Sequence, residues 1–124
     1  ISLGANMMQT IKTLKEANDY NGPSIVIAYS PCISHGIKGG MSNTLKMQKL
    51  AVESGYFPIF RRDPINGFKM DFKNANFDLY NEFLNLQTRY SMLGKINPKD
   101  AKALLDKNKE NAIDRYKYYV SLGE

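Results

Sequence analysis

A chain of 124 residues, 43% of them hydrophobic and 23% charged, has the make-up of one globular domain and can bury about two-thirds of its unfolded surface around a single core. No apolar run approaches the roughly 18 residues of a membrane span, which excludes a membrane protein. The 17 Lys and Arg against 12 acids are spread from Lys12 to Lys117 and form no basic patch of the kind nucleic-acid binding uses. The single cysteine forbids an internal disulfide and fits a reducing, cytoplasmic location.

The segment Ile1-Ser2-Leu3-Gly4-Ala5-Asn6 has neither an initiator Met nor a signal-peptide pattern, and the expectation is a cut inside a longer polypeptide. From Asn6 to Ala17, Met7, Met8, Ile11 and Leu14 recur at helical spacing and predict a first helix with an apolar face. Ile25 to Ala28, opened by Gly22-Pro23 and closed by Ser30-Pro31, is a run too short for a helix. It predicts a buried, central and parallel strand. Gly36, Gly39 and Gly40 then make a flexible turn, Ser42 or Asn43 caps a helix through Leu45 to Val52, and Gly55 ends it.

Further on, Pro58 to Pro64 and Phe68 to Phe72 alternate as strands around Asn66-Gly67, predicting a β-hairpin. Leu79, Phe83, Leu86, Tyr90 and Leu93 step by four and three residues behind Asp78 and predict one long helix that Gly94 stops. Asn97-Pro98 opens a second long helix through Val120. The expected fold class is therefore α/β: central parallel strand or strands flanked by helices, a β-hairpin, and two long C-terminal helices.

The chemistry-bearing residue is Cys32, delivered into a loop at the end of the predicted strand, where open α/β sheets gather their ligands. Nearby glycines leave backbone N–H groups free to serve a thiolate or a cluster sulfide. One cysteine cannot hold an iron–sulfur cluster, which takes four protein ligands, so the others must come from outside this chain. His35, three residues on, suggests a Cys-His thiol enzyme as an alternative, although no acid nearby orients it. A third reading is a non-catalytic interaction or scaffold domain with an inert buried Cys32. Arg61 and Arg62 beside Asp63 read as a solvated ion pair.

Gly22 to Ile37, with its Gly-Pro-Ser strand running into Tyr29-Ser30-Pro31-Cys32-Ile33 and His35-Gly36, resembles the carboxy-terminal region of the pyruvate:ferredoxin (flavodoxin) oxidoreductases. The resemblance extends through Gly4-Ala5-Asn6, Gln9-Thr10, Lys15-Glu16-Ala17, Met41, Lys49, Ala51 to Tyr56, Pro58, Phe60-Arg61 and Asp63-Pro64, and on through Phe83, Arg89-Tyr90, Pro98, Ala101 and Arg115-Tyr116. Two departures stand out. Phe57 occupies a position where an aromatic, often Trp, is expected, and residues 68–77 match only through Asp71 and Lys73.

The resemblance implies an enzyme that oxidatively decarboxylates pyruvate with coenzyme A to acetyl-CoA and CO2, using thiamine diphosphate with Mg2+ and three [4Fe-4S] clusters to reduce ferredoxin or flavodoxin. It implies that Cys32 is a ligand of the [4Fe-4S] cluster nearest thiamine diphosphate. It divides the chain at about residue 65, with 1–65 ending a thiamine-diphosphate-binding α/β domain and 66–124 forming the hairpin and terminal helices. The partners implied are the rest of the parent polypeptide, in a homo-oligomer. The chain alone is expected to be inactive and to bind none of these cofactors.

Overall fold

The computed structural model describes residues 1–123. Helix α1 runs Met7–Asp19, capped by Asn6, whose side chain accepts from the Gln9 amide at 2.9 Å. Its placement reverses the expected amphipathicity. Gln9 and Thr10 are buried, whereas Met7, Met8, Ile11 and Leu14 face outward. The buried polar face is held by specific bonds: Gln9 Nε2 donates to Asp71 at 2.9 Å, and the Thr10 hydroxyl donates to the Asn6 carbonyl at 3.0 Å.

Among the described residues, the segment predicted as a central strand is paired in no sheet. Ile25 is 88% exposed and Ile27 69% exposed, so it is not buried either. Among the described residues, its ladder-like bonds are to the first residue of the chain: the Ile1 amino group donates to the Ile27 carbonyl at 2.8 Å, and the Tyr29 amide donates to the Ile1 carbonyl at 3.0 Å. Two such bonds bracketing Ala28 are the slanted pattern of a parallel pair. The correction is thus physical. The segment makes parallel-type bonds to Ile1, but one residue cannot make a sheet, and no strand forms there.

Helix α2, Thr44–Glu53, follows a 3-10 turn at Met41–Asn43 and buries Met47, Leu50, Ala51 and Val52. It ends at Gly55, which sits at φ +76°. Strands β1, Phe60–Asp63, and β2, Gly67–Met70, pair antiparallel as predicted, in the register Phe60 with Met70 and Asp63 with Gly67. The Asp63 carboxylate closes the turn by accepting from the amides of Ile65 and Asn66 at 2.8 and 2.7 Å.

The predicted long helix from Leu79 to Leu93 is broken into three pieces: α3, Tyr80–Asn85, behind a 3-10 turn at Phe77–Leu79; α4, Thr88–Ser91; and α5, Leu93–Ile96. Asn76, not Asp78, provides the cap, and Gly94 lies within α5. Gln87 is the break, extended at φ −110° and ψ 124°. The loop after Cys32 imposes it: the Lys38 amide donates to the Leu86 carbonyl at 2.9 Å, and the Thr88 amide donates to the Gly36 carbonyl at 3.3 Å. A continuous helix would spend both groups on itself. Only α6, Ala101–Ser121, is a long C-terminal helix.

The core joins Leu50 and Ala51 of α2, Tyr80, Phe83 and Leu84 of α3, and Ala112 of α6. Aromatic rings extend it, with Tyr56 and Phe83 centred 4.5 Å apart and Tyr29 and Phe57 5.2 Å apart. Helix α6 is pinned by Tyr116, whose hydroxyl donates to the Phe72 carbonyl at 2.6 Å, and by Asn108, which accepts from the Tyr80 hydroxyl at 2.7 Å.

Candidate functional site

Cys32 precedes a 3-10 turn, Ile33–His35, and its thiol is exposed. That exposure removes the premise of a scaffold domain with an inert buried cysteine. The backbone amides of His35 and then Ser34 favour the thiolate, with smaller contributions from the Ser34 hydroxyl and the Arg89 charge, and together they hold the thiol below its usual pKa. It is the amide of His35, not its imidazole, that acts on the sulfur. Among the described residues no three His, Cys, Asp or Glu side chains gather in a way that holds a metal ion.

Gly36 brings this loop against α4. It sits at φ +75°, and its carbonyl takes the Thr88 amide, while Ile37 bridges to Gln87. A side chain at Gly36 would meet the Thr88 Cβ at 2.5 Å, so the close approach requires glycine. The result is a hollow of about 290 Å³ lined by Tyr29, Pro31, Cys32, His35, Gln87 and Arg89. A larger depression, lined by Asp106, Lys107 and Glu110 on α6, is open to solvent, and its Lys107 and Glu110 pair with each other at 2.7 Å.

Three residues of the Cys32 hollow were not singled out as functional from the sequence. Gln87 is only 5% exposed, and its Nε2 has no partner. The Tyr29 hydroxyl is also buried without a partner, and burial, partly offset by the charge of Arg89, pushes its pKa up to about 12. Arg89 donates to the Tyr56 hydroxyl at 3.1 Å and lies 4.8 Å from the centre of the Tyr90 ring. The two tyrosine hydroxyls are themselves 2.9 Å apart. The signal for Arg89 lay in the Arg89-Tyr90 match to the family, which carried no role.

Arg61, read from the sequence as a solvated ion pair with Asp63, is instead clamped between two other acids. Its Nε and Nη2 donate to Asp71 at 2.8 and 2.7 Å, and its Nη1 donates to Glu16. Asp63 turns to the hairpin loop. This network ties α1 to β1 and stands apart from the Cys32 hollow.

No protein-family profile matches the chain. Over nearly its whole length, however, the chain is similar to a short stretch of pyruvate:ferredoxin and pyruvate-flavodoxin oxidoreductases. It is 38% identical over 130 residues to the pyruvate:ferredoxin oxidoreductase of Moorella thermoacetica, covering all of this chain and 11% of that protein. It is 38% identical over 120 residues to the mitochondrial pyruvate dehydrogenase (NADP+) of Euglena gracilis, covering 92% of this chain and 7% of that protein. With the pyruvate-flavodoxin oxidoreductase of Rhodospirillum rubrum the identity is 50% over 64 residues, 52% of this chain. The matched stretches span only 5 to 11% of the length of these relatives.

Proposed function

We propose that the chain is part of a pyruvate oxidoreductase and supplies one thiolate, Cys32, to a [4Fe-4S] cluster close to thiamine diphosphate. The observation that carries the reading is the exposed thiol of Cys32 in a turn whose own amides favour its thiolate form. The hollow beside it fits such a group. One cysteine is present, no acid lines the site among the described residues, and two of the lining side chains, Tyr29 and Gln87, carry buried hydrogen-bonding groups without a partner. The other three ligands then come from elsewhere in the protein. The chemistry supplied by a cluster at Cys32 is one-electron transfer; the chain's part is to hold the thiolate and keep amide dipoles around it.

In this reading the whole protein decarboxylates pyruvate oxidatively with coenzyme A to acetyl-CoA and CO2, and ferredoxin or flavodoxin takes the electrons, as the names of the bacterial relatives suggest. Thiamine diphosphate and Mg2+ bind on other segments. Residues 1–65 complete the thiamine-diphosphate-binding domain, and residues 66–124 form its terminal part within a cytoplasmic homo-oligomer. No helix among the described residues is long and apolar enough to cross a membrane. The outward apolar face of α1 and the bare strand Ile25 to Ile27 support a larger host, because apolar surface of this kind is ordinarily covered.

The coding sequence that surrounds this segment in its gene tests the proposal. The expected finding is one reading frame several times longer, carrying at least three further cysteines in clustered spacing. A frame limited to these residues would overturn it.

A further inference from the structure

We propose that Gln87, Arg89 and Tyr29 are hydrogen-bond donors to the sulfur atoms of the cluster that Cys32 ligates, and that they raise its reduction potential. This rests on the reading of Cys32 above, and it assigns a role to Tyr29, three residues before Cys32, and to Gln87 and Arg89, far from it in sequence, which the fold brings to the same hollow.

A buried amide or hydroxyl with no partner costs about 1–3 kcal/mol, and folded proteins rarely carry one without a reason. Of the four such atoms among the described residues, two, Gln87 Nε2 and the Tyr29 hydroxyl, belong to side chains lining one small hollow, and the other two, on Gln9 and Thr13, lie on α1. What the three residues share is donor character. Gln87 offers an NH2, Tyr29 an O–H, and Arg89 a guanidinium that can only donate. No Asp or Glu lines the same space. A guest suited to it is rich in acceptors and negatively charged, as are the thiolates and sulfides of an iron–sulfur cluster.

The donors are also held in place. The Gln87 backbone is fixed by its bridge to Ile37 and by the flanking bonds from Lys38 to Leu86 and from Thr88 to Gly36. Arg89 is fixed by the Tyr56 hydroxyl and the face of Tyr90. Both elements are bonded to the loop that carries Cys32, so their distance to the sulfur is set by the fold. Reduction adds one negative charge to a cluster. Fixed donors and a cation stabilise the reduced form more than the oxidised one and move the potential upward.

The test uses the full-length oxidoreductase carrying Gln87→Met or Arg89→Met, with electron paramagnetic resonance followed during a redox titration. Methionine keeps the length of each side chain without a donor. The expected result is that one cluster becomes harder to reduce by about tenfold in its oxidised-to-reduced ratio, about 59 mV for one electron, while the other clusters titrate as before. If Gln87→Met fails to assemble, Arg89→Met decides, because its exposed side chain leaves the core intact. Unchanged midpoints for all clusters, with full iron content, would overturn the assignment of the donors and leave Cys32 as ligand untouched. Full iron content in a parallel Cys32→Ala protein would instead remove the ligand reading on which the assignment rests.

Discussion

The Thr88 amide donates to the Gly36 carbonyl at 3.3 Å, and this one bond joins the loop after Cys32 to the helix that carries Arg89. Gly36 lies at φ +75° and ψ 121°, where an L side chain is strained, and any Cβ would press on the Cβ of Thr88. Gly36→Ala should therefore cost about 1–3 kcal/mol, read as a lower midpoint in urea. Adding Thr88→Ala should not restore it, since the clash includes the Thr88 Cβ. Wild-type stability in Gly36→Ala would show that the two segments are not locked together.

Acid should loosen the tie between α1 and the hairpin. Burial disfavours the Asp71 carboxylate, but the hydrogen bonds from Arg61 and Gln9 and the charges of Arg61 and Lys69 outweigh it, and its pKa falls below the usual value. A lowered folded pKa gives stability that is complete above the unfolded value near 3.9 and is lost as the pH drops through the folded one. Wild-type stability should thus fall steeply below about pH 4, while Asp71→Asn should be weaker at neutral pH and flatter in acid. Arg61→Met leaves Asp71, its side chain 6% exposed, without its cation, at a cost of about 3 kcal/mol. Urea titrations across pH 3 to 7 would read both effects.

Cys32 should react with iodoacetamide in the folded chain without denaturant, and faster at pH 7.5 than a cysteine in a short unstructured peptide. Exposure provides access, and the amides of His35 and Ser34 enlarge the thiolate fraction. Protection until unfolding, followed by mass spectrometry, would mean that the thiol is buried after all.

Ile25 and Ile27 contribute to association more than to folding. Both are largely exposed, so Ile25→Lys with Ile27→Lys should change stability by no more than about 0.5 kcal/mol. The same pair should reduce self-association of the isolated chain in sedimentation velocity, since a bare strand edge with apolar side chains is an invitation to pair. A large loss of stability would place these residues in a core.

How much of this was legible in the sequence follows from how local each cause is. Helix α1, helix α2 and the hairpin carry their own signals: the helical spacing of Met7, Met8, Ile11 and Leu14, Gly55 at the stop, and alternation around Asn66-Gly67. The break at Gln87 carries none. Phe83, Leu86, Tyr90 and Leu93 keep helical spacing straight across it, and the cause lies in backbone groups of Gly36 and Lys38 that no local pattern reveals. The buried strand read at Ile25 to Ala28 does not form: the segment pairs with no strand, and Ile25 and Ile27 are exposed, because Ile1 alone gives it no sheet to join. Cys32 was legible because it is the sole thiol, at the end of an apolar run. Gln87 and Arg89 were not, because only the folded chain brings them beside Cys32, and Tyr29, quoted next to it, carried no role of its own.

The central claim is that Cys32 is a cluster ligand, and it is tested most directly by iron content and electron paramagnetic resonance of the dithionite-reduced full-length enzyme with Cys32→Ala. Removing one thiolate of four should abolish or convert a single cluster, lowering iron in proportion and erasing one set of signals while the others persist. Electron transfer from pyruvate should slow with it. Wild-type iron content, an unchanged spectrum and full activity in the Cys32→Ala enzyme would contradict the account.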